Sequence, residues 1–196
     1  MERYQFTMVR RSSRSSKRRG LPDLAAEFEV VNPRIEEAAR AASARMRELG
    51  VRHALVGGLA VGAYARPRAT KDVDFLVGPE AWPTSGSIVS PIPGLPFRVG
   101  TVDVDTLLAP VEAPGIEEAL ARTKESEGIP VAPPEVVMLM KLLAGRPQDV
   151  ADLHALLDVV HHGLVKGYVL SQAPEYAPDL AAAIREHGRR RVVRRK

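Results

Sequence analysis

The sequence predicts an α+β protein, a small mixed β-sheet flanked by helices with a further helical part towards the C-terminal end. Short apolar runs bounded by glycine and proline alternate with longer stretches of helical periodicity. The helical stretches crowd together after residue 133, and no segment repeats another.

The first helix is the clearest. In "NPRIEEAARAASARMRELG" Asn32 can cap, Pro33 suits the first turn, acids come early and Gly50 closes the segment, so a helix is expected over 33–49. "RHALVGG" then reads as a strand ending at Gly57 and Gly58, "LAVGAYA" as a short helix starting on those glycines, and "KDVDFLVG" as a second strand. Five prolines and four glycines between Gly78 and Gly100 predict a loop or a much shortened crossover. "TVDVDTLLA" is a third strand, "GIEEALARTKE" a helix and "IPVA" an edge strand. "PPEVVMLMKLLAG" and "QDVADLHALLDVVHHG" read as two helices and residues 174–188 as a last one.

Composition narrows the class. The chain of 196 residues is 45% hydrophobic, which is normal for a folded core, and no window approaches the roughly 18 consecutive apolar residues of a membrane span. The basic N-terminus is not followed by an apolar signal-peptide core, and with no cysteine there is neither a disulfide nor a thiolate metal site. A cytoplasmic protein is expected. The net charge of +4 conceals a division: residues 1–20 and 185–196 each carry +6, leaving −8 between them. The basic pI therefore reflects the ends of the chain and not a basic folded surface. "VRRSSRSSKRRG" is Arg/Ser-rich and aperiodic. The expected organisation is a disordered basic tail over 1–20, an α/β core over 21–132, a helical part over 133–188 and a basic tail over 189–196.

The chemistry concentrates in "VGGLAVGAYARPRATKDVDFLV", residues 56–77. Gly57 and Gly58 lack a Cβ, so N–H groups at the start of a helix can approach a phosphate, aided by the helix dipole. Asp72 and Asp74 lie one residue apart, which in a strand puts both carboxylates on one face, where they repel unless a cation sits between them. A further strand brings Asp103 and Asp105, again on one face. Three carboxylates on adjoining strands can hold Mg²⁺, and two such ions can clamp the attacking and leaving oxygens of a phosphoryl transfer.

The apolar residue, the Gly-Gly pair, the helix and "RATKDVDF" together resemble the signature of the DNA polymerase β-like nucleotidyltransferase superfamily. With the later "VVMLMKLLAGRPQDVADLHALL", the chain is most similar to the small bacterial nucleotidyltransferases of the AbiEii toxin and related antitoxin-like groups. The resemblance covers roughly residues 34–160. It implies a nucleotidyltransferase-type sheet, a nucleoside triphosphate bound with Mg²⁺, and metal ligation and catalysis by Asp72, Asp74 and Asp105. It also implies phosphate contacts from Gly57, Gly58, Arg68 and Thr70. Asp105 is favoured as the third carboxylate because "VDTLL" fits the usual pattern, with Asp103 the alternative. Arg68 either grips phosphate or pairs with the acidic strands. Lys141 interrupts an apolar helix face and resembles a triphosphate-binding lysine. Asp149 and Asp152 match a late acidic motif, or else form a solvated helix face. The acceptor is left open between a tRNA end, a protein tyrosine or threonine, and a small molecule such as an aminoglycoside. RNA or a partner protein is favoured, and a non-catalytic antitoxin-like module is the competing reading. His161 and His162 are expected at a helix end, His53 as a structural residue, and Trp82 offers no stacking platform.

Overall fold

The computed structural model describes residues 20–85 and 88–193. It is an α+β fold built on a six-stranded mixed sheet. A short helix α1 (Leu24–Phe28), absent from the sequence reading, precedes α2 (Pro33–Glu48). Asn32 caps α2 by accepting from the Arg34 N–H at 3.0 Å. Strand β1 (His53–Leu55) runs into α3 (Gly57–Tyr64), which is followed by β2 (Val73–Val77). The proline-rich segment forms a 3₁₀ turn at Pro79–Ala81, a small hairpin of β3 (Thr84–Ser85) with β4 (Ile88–Val89), and β5 (Arg98–Val99). It returns the chain to β6 (Val102–Leu107), parallel to β2, with no α-helix among the described residues of the crossover. After β7 (Lys124–Ser126) and β8 (Ile129–Val131) come α4 (Pro134–Ala144), α5 (Pro147–Leu157), α6 (His162–Gln172) and α7 (Ala177–Val193).

Strand order is β5-β6-β2-β1-β8-β7. Residues of "IPVA" therefore sit inside the sheet, between β1 and β7, and not at its edge. Prolines are confined to positions where no ladder N–H is needed, which made an edge the natural expectation. "GIEEALARTKE" is also different from expectation. Pro114–Ala121 winds as 3₁₀ helix, burying Ile116, Ala119 and Leu120, and its last residues leave it to form β7. The single histidine-containing helix expected over "QDVADLHALLDVVHHG" is divided. α5 stops at Leu157, and His161 begins α6, its Nδ1 accepting from the Gly163 N–H at 3.2 Å. His161 therefore caps a helix start and does not stand at a helix end. α7 continues to Val193, into the segment expected as a basic tail. The tail expected over 1–20 lies, but for Gly20, outside the described residues. Among the described residues no helix is long and apolar enough to cross a membrane.

Two layers cover the sheet. α2 lies across β2, β5, β6 and β8, burying Ala38, Ala39, Ala42 and Met46. His53 completes this face: its Nε2 is 2.8 Å from the Ser43 hydroxyl, its Nδ1 2.9 Å from the Val51 carbonyl, and its ring meets Phe75 edge-on. Burial holds its pKa below the ordinary value, as a structural histidine requires. The other layer is α3 with α4 and α5 stacked on it. Tyr64 ties this layer to the sheet by donating to the Ala132 carbonyl at 2.9 Å.

Phe75 lies between Asp74 and Leu76 with its ring fully buried on the opposite side of the sheet from Asp74. Phe75→Ala should cost about 3–5 kcal/mol in urea unfolding and loosen the strand that carries the carboxylates. An unfolding midpoint unchanged by this substitution would show that β2 is anchored by something else.

Candidate active site

Register decides which acids meet. β2 and β6 pair in parallel with Asp74 opposite Asp105, so the two carboxylates rise from neighbouring strands on one face. Asp72 sits just before β2, where the Thr70 hydroxyl donates to its Oδ1 at 3.0 Å. Asp103 is taken by Arg98 of the adjoining strand, at 2.7 Å from Nε to Oδ1. Asp105 therefore joins Asp72 and Asp74, whereas Asp103 is engaged towards the sheet edge. Burial pushes Asp74 up to about 6, and the negative charges of Asp72 and Asp105 add to the shift; Lys141 and the Gly58 N–H oppose it.

The glycine pair is packed by the same motif. Gly57 has φ +59°, a left-handed conformation costly for any side chain, and a Cβ there would fall on the Asp74 carboxylate. A Cβ on Gly58 would stand 2.8 Å from the Thr70 hydroxyl and 3.0 Å from Arg68 Nη2. Both glycines are thus needed for Arg68, Thr70 and Asp74 to close over the start of α3.

Beside this turn lies a buried ionic network. Lys141 of α4 reaches Asp149 Oδ1 at 2.8 Å and Asp152 Oδ2 at 3.1 Å, all three side chains being nearly excluded from solvent. Arg68 Nη2 contacts Asp152 Oδ2 at 3.0 Å, and Gln148 donates to the other oxygen at 3.2 Å. Arg146 brings its Nε within 2.7 Å of Asp149 Oδ2, while its backbone N–H donates to the same carboxylate and so caps α5. Burial raises the Asp149 pKa, but hydrogen bonds and charge from Arg146 and Lys141 outweigh it, and the carboxyl ends below its ordinary value.

These contacts revise several expectations. Asp149 and Asp152 are not a solvated helix face. Arg68 pairs with Asp152 of α5 and not with the acidic strands. Lys141 does reach an anion, as a buried ammonium must, but two of its three donors go to protein carboxylates. Arg146 was not singled out from the sequence. It is largely exposed, and the charges of Asp74 and Asp72 help raise its pKa after the larger effect of Asp149. Its signal was its place, just before Pro147 and three residues from Asp149, where a helix must begin.

The donor chemistry fits a hard divalent cation: carboxylate oxygens only, crowded enough that one of them resists ionisation. Among the described residues, however, no group of three or more histidine, aspartate or glutamate side chains stands ready to hold a metal ion. The side chains explain why. Asp74 is turned onto the glycine turn and Asp72 is held by Thr70, so joint ligation requires their rotation.

No family model matches the chain, and no curated protein matches it. Among solved structures it is similar to an antigenic nucleotidyltransferase-like protein from Paracoccidioides brasiliensis. The match covers 80% of this chain and 94% of that one, at 14% identity and a TM-score of 0.45.

Two outcomes test the site's energetics. Since the folded Asp74 pKa lies above the unfolded value of 3.8, the folded state holds a proton there that the unfolded chain has lost. As pH rises from about 4 through about 6, this group should therefore remove up to about 3 kcal/mol of stability. Asp74→Asn should abolish that loss, so that urea midpoints of variant and wild type in chelator separate as pH rises from about 4 to about 6 and stay apart above it, with the variant the more stable. Lys141→Met should destabilise by about 3–5 kcal/mol, because Asp149 and Asp152 keep their buried charges without the ammonium. A Lys141→Met protein with an undiminished melting temperature would show that Arg68 and Arg146 suffice.

Proposed function

We propose that the protein is a Mg²⁺-dependent nucleotidyltransferase, moving a nucleoside monophosphate from a nucleoside triphosphate to an acceptor hydroxyl. The observation that carries this reading is the placement of two opposed charge sets around one glycine turn. Asp72, Asp74 and Asp105 stand on the sheet side, and Arg68, Lys141 and Arg146 on the helix side. A triphosphate complexed with a cation is the ligand class that presents both signs at such short range.

In this reading Asp72, Asp74 and Asp105 hold the metal, which when bound neutralises charge on the phosphates. Gly57 and Gly58 present backbone N–H groups, and the N-terminus of α3 favours the anion. Arg68 and Arg146 contribute guanidinium donors at the rim, while Lys141 acts through the field it exerts across the turn. The acceptor oxygen attacks the α-phosphorus, the bond to the pyrophosphate oxygen breaks, and the acceptor proton passes to Asp105. Most of the acceleration comes from positioning and charge placement. RNA or a partner protein is the acceptor class we favour, as in the AbiEii-like groups, including toxin-antitoxin systems.

The experiment is incubation with each α-labelled triphosphate, Mg²⁺ and a cell extract, followed by separation of RNA, protein and small molecules. Label should enter RNA or protein, and Asp105→Asn should lower incorporation by at least about 100-fold, as loss of a proton acceptor does. Nucleotide binding without transfer to any fraction would instead favour the non-catalytic interaction module. Labelling of an aminoglycoside alone would overturn the macromolecular acceptor.

A further inference from the structure

Among the residues of the acid cluster, Asp74 is placed differently from its neighbours. Asp72 is held by Thr70, and Asp105 lies exposed on β6. Asp74 instead fills the space above Gly57 that a side chain would need, and the Gly58 backbone N–H favours its charged form. The helix that these glycines begin has eight residues and is preceded by Val56, which offers no side-chain acceptor for its first N–H groups. Asp74, reaching over from the next strand, supplies the anionic partner that the local sequence omits. A phosphate bound at this turn needs the same amides, and two anions cannot share them.

We propose that Asp74 is a latch. In the nucleotide-free protein its carboxylate takes the Gly57–Gly58 turn, and a polyphosphate gains the turn only after a divalent cation has drawn Asp74 away. The inference rests on the nucleotide reading above and adds an order to it, cation first and polyphosphate second. It also gives Asp74 two opposite effects on one ligand: obstruction without the cation, assistance with it.

Calorimetry with inorganic tripolyphosphate separates these effects without requiring turnover. In chelator the wild type should bind weakly, and addition of Mg²⁺ should tighten binding. Asp74→Ala should bind about tenfold more tightly than wild type in chelator, the worth of one charge-assisted hydrogen bond released, and should gain nothing from Mg²⁺. Asp105→Ala removes the same charge from the facing strand but frees no amide, so its gain in chelator should be well below that of Asp74→Ala. Equal gains in the two variants would reduce the effect to bulk repulsion and overturn the latch, as would no gain in Asp74→Ala. If either alanine variant fails to fold, Asp74→Asn and Asp105→Asn should show the same ordering with a smaller gap, and the reverse ordering counts against the proposal. The nucleotide reading fails separately, if no nucleoside triphosphate binds with Mg²⁺ while the tripolyphosphate ordering still holds.

Discussion

Like charge stands against like charge where β2 meets β6, and much of the molecule is arranged around that pairing. A parallel register that sets Asp74 opposite Asp105 brings two carboxylates within the reach at which repulsion is felt, and Asp72 adds a third. Nothing about the strands requires this; a slip of one residue would turn Asp105 to the α2 side and bury it. The register is held instead by Val73, Phe75 and Val104, which point to the α2 side and are buried. Apolar packing on one face thus enforces an electrostatically unfavourable arrangement on the other.

The helical layer answers with the opposite sign. Arg68, Lys141 and Arg146 surround Asp149 and Asp152, so three cations meet two carboxylates and the network retains a positive excess. Burying Lys141 and two aspartates carries a desolvation cost that good geometry only offsets, and an apolar contact in their place would join α4 to α5 as well. What the charged version adds is a field. Lys141 lowers the Asp74 pKa against the effect of burial, and Arg146 responds to both Asp74 and Asp72. The glycine turn lies between the two sets, and Arg68 joins the turn to the helical set, with its Nη2 against Gly58 and in contact with Asp152.

Much of this was legible in the chain. Asn32, Pro33 and Gly50 bounded α2 because caps and turn residues act locally, and the Gly-Gly pair with the two alternating acids pointed to the candidate site because strand periodicity fixes which side chains share a face. Elements whose state depends on distant partners were not legible. "IPVA" became an inner strand because β7 pairs outside it. "GIEEALARTKE" was divided between a 3₁₀ turn and a strand because Ile116, Ala119 and Leu120 are buried in a segment packed against β1, β2 and α6 while Lys124–Ser126 pair with β8.

The sequence by itself determined the inventory: which residues carry charge, which positions lack a Cβ, and which acids alternate along a strand. Those follow from covalent structure and from the two-residue and 3.6-residue periods of the backbone. Only the tertiary structure decided the partners. It assigned Asp105 to Asp74 and Asp103 to Arg98, gave Lys141 to two buried aspartates, brought the exposed Arg146 into their field, and laid Asp74 over Gly57. These are contacts between residues distant in sequence or on neighbouring strands, set by sheet register and helix packing, and no local pattern in the chain encodes them.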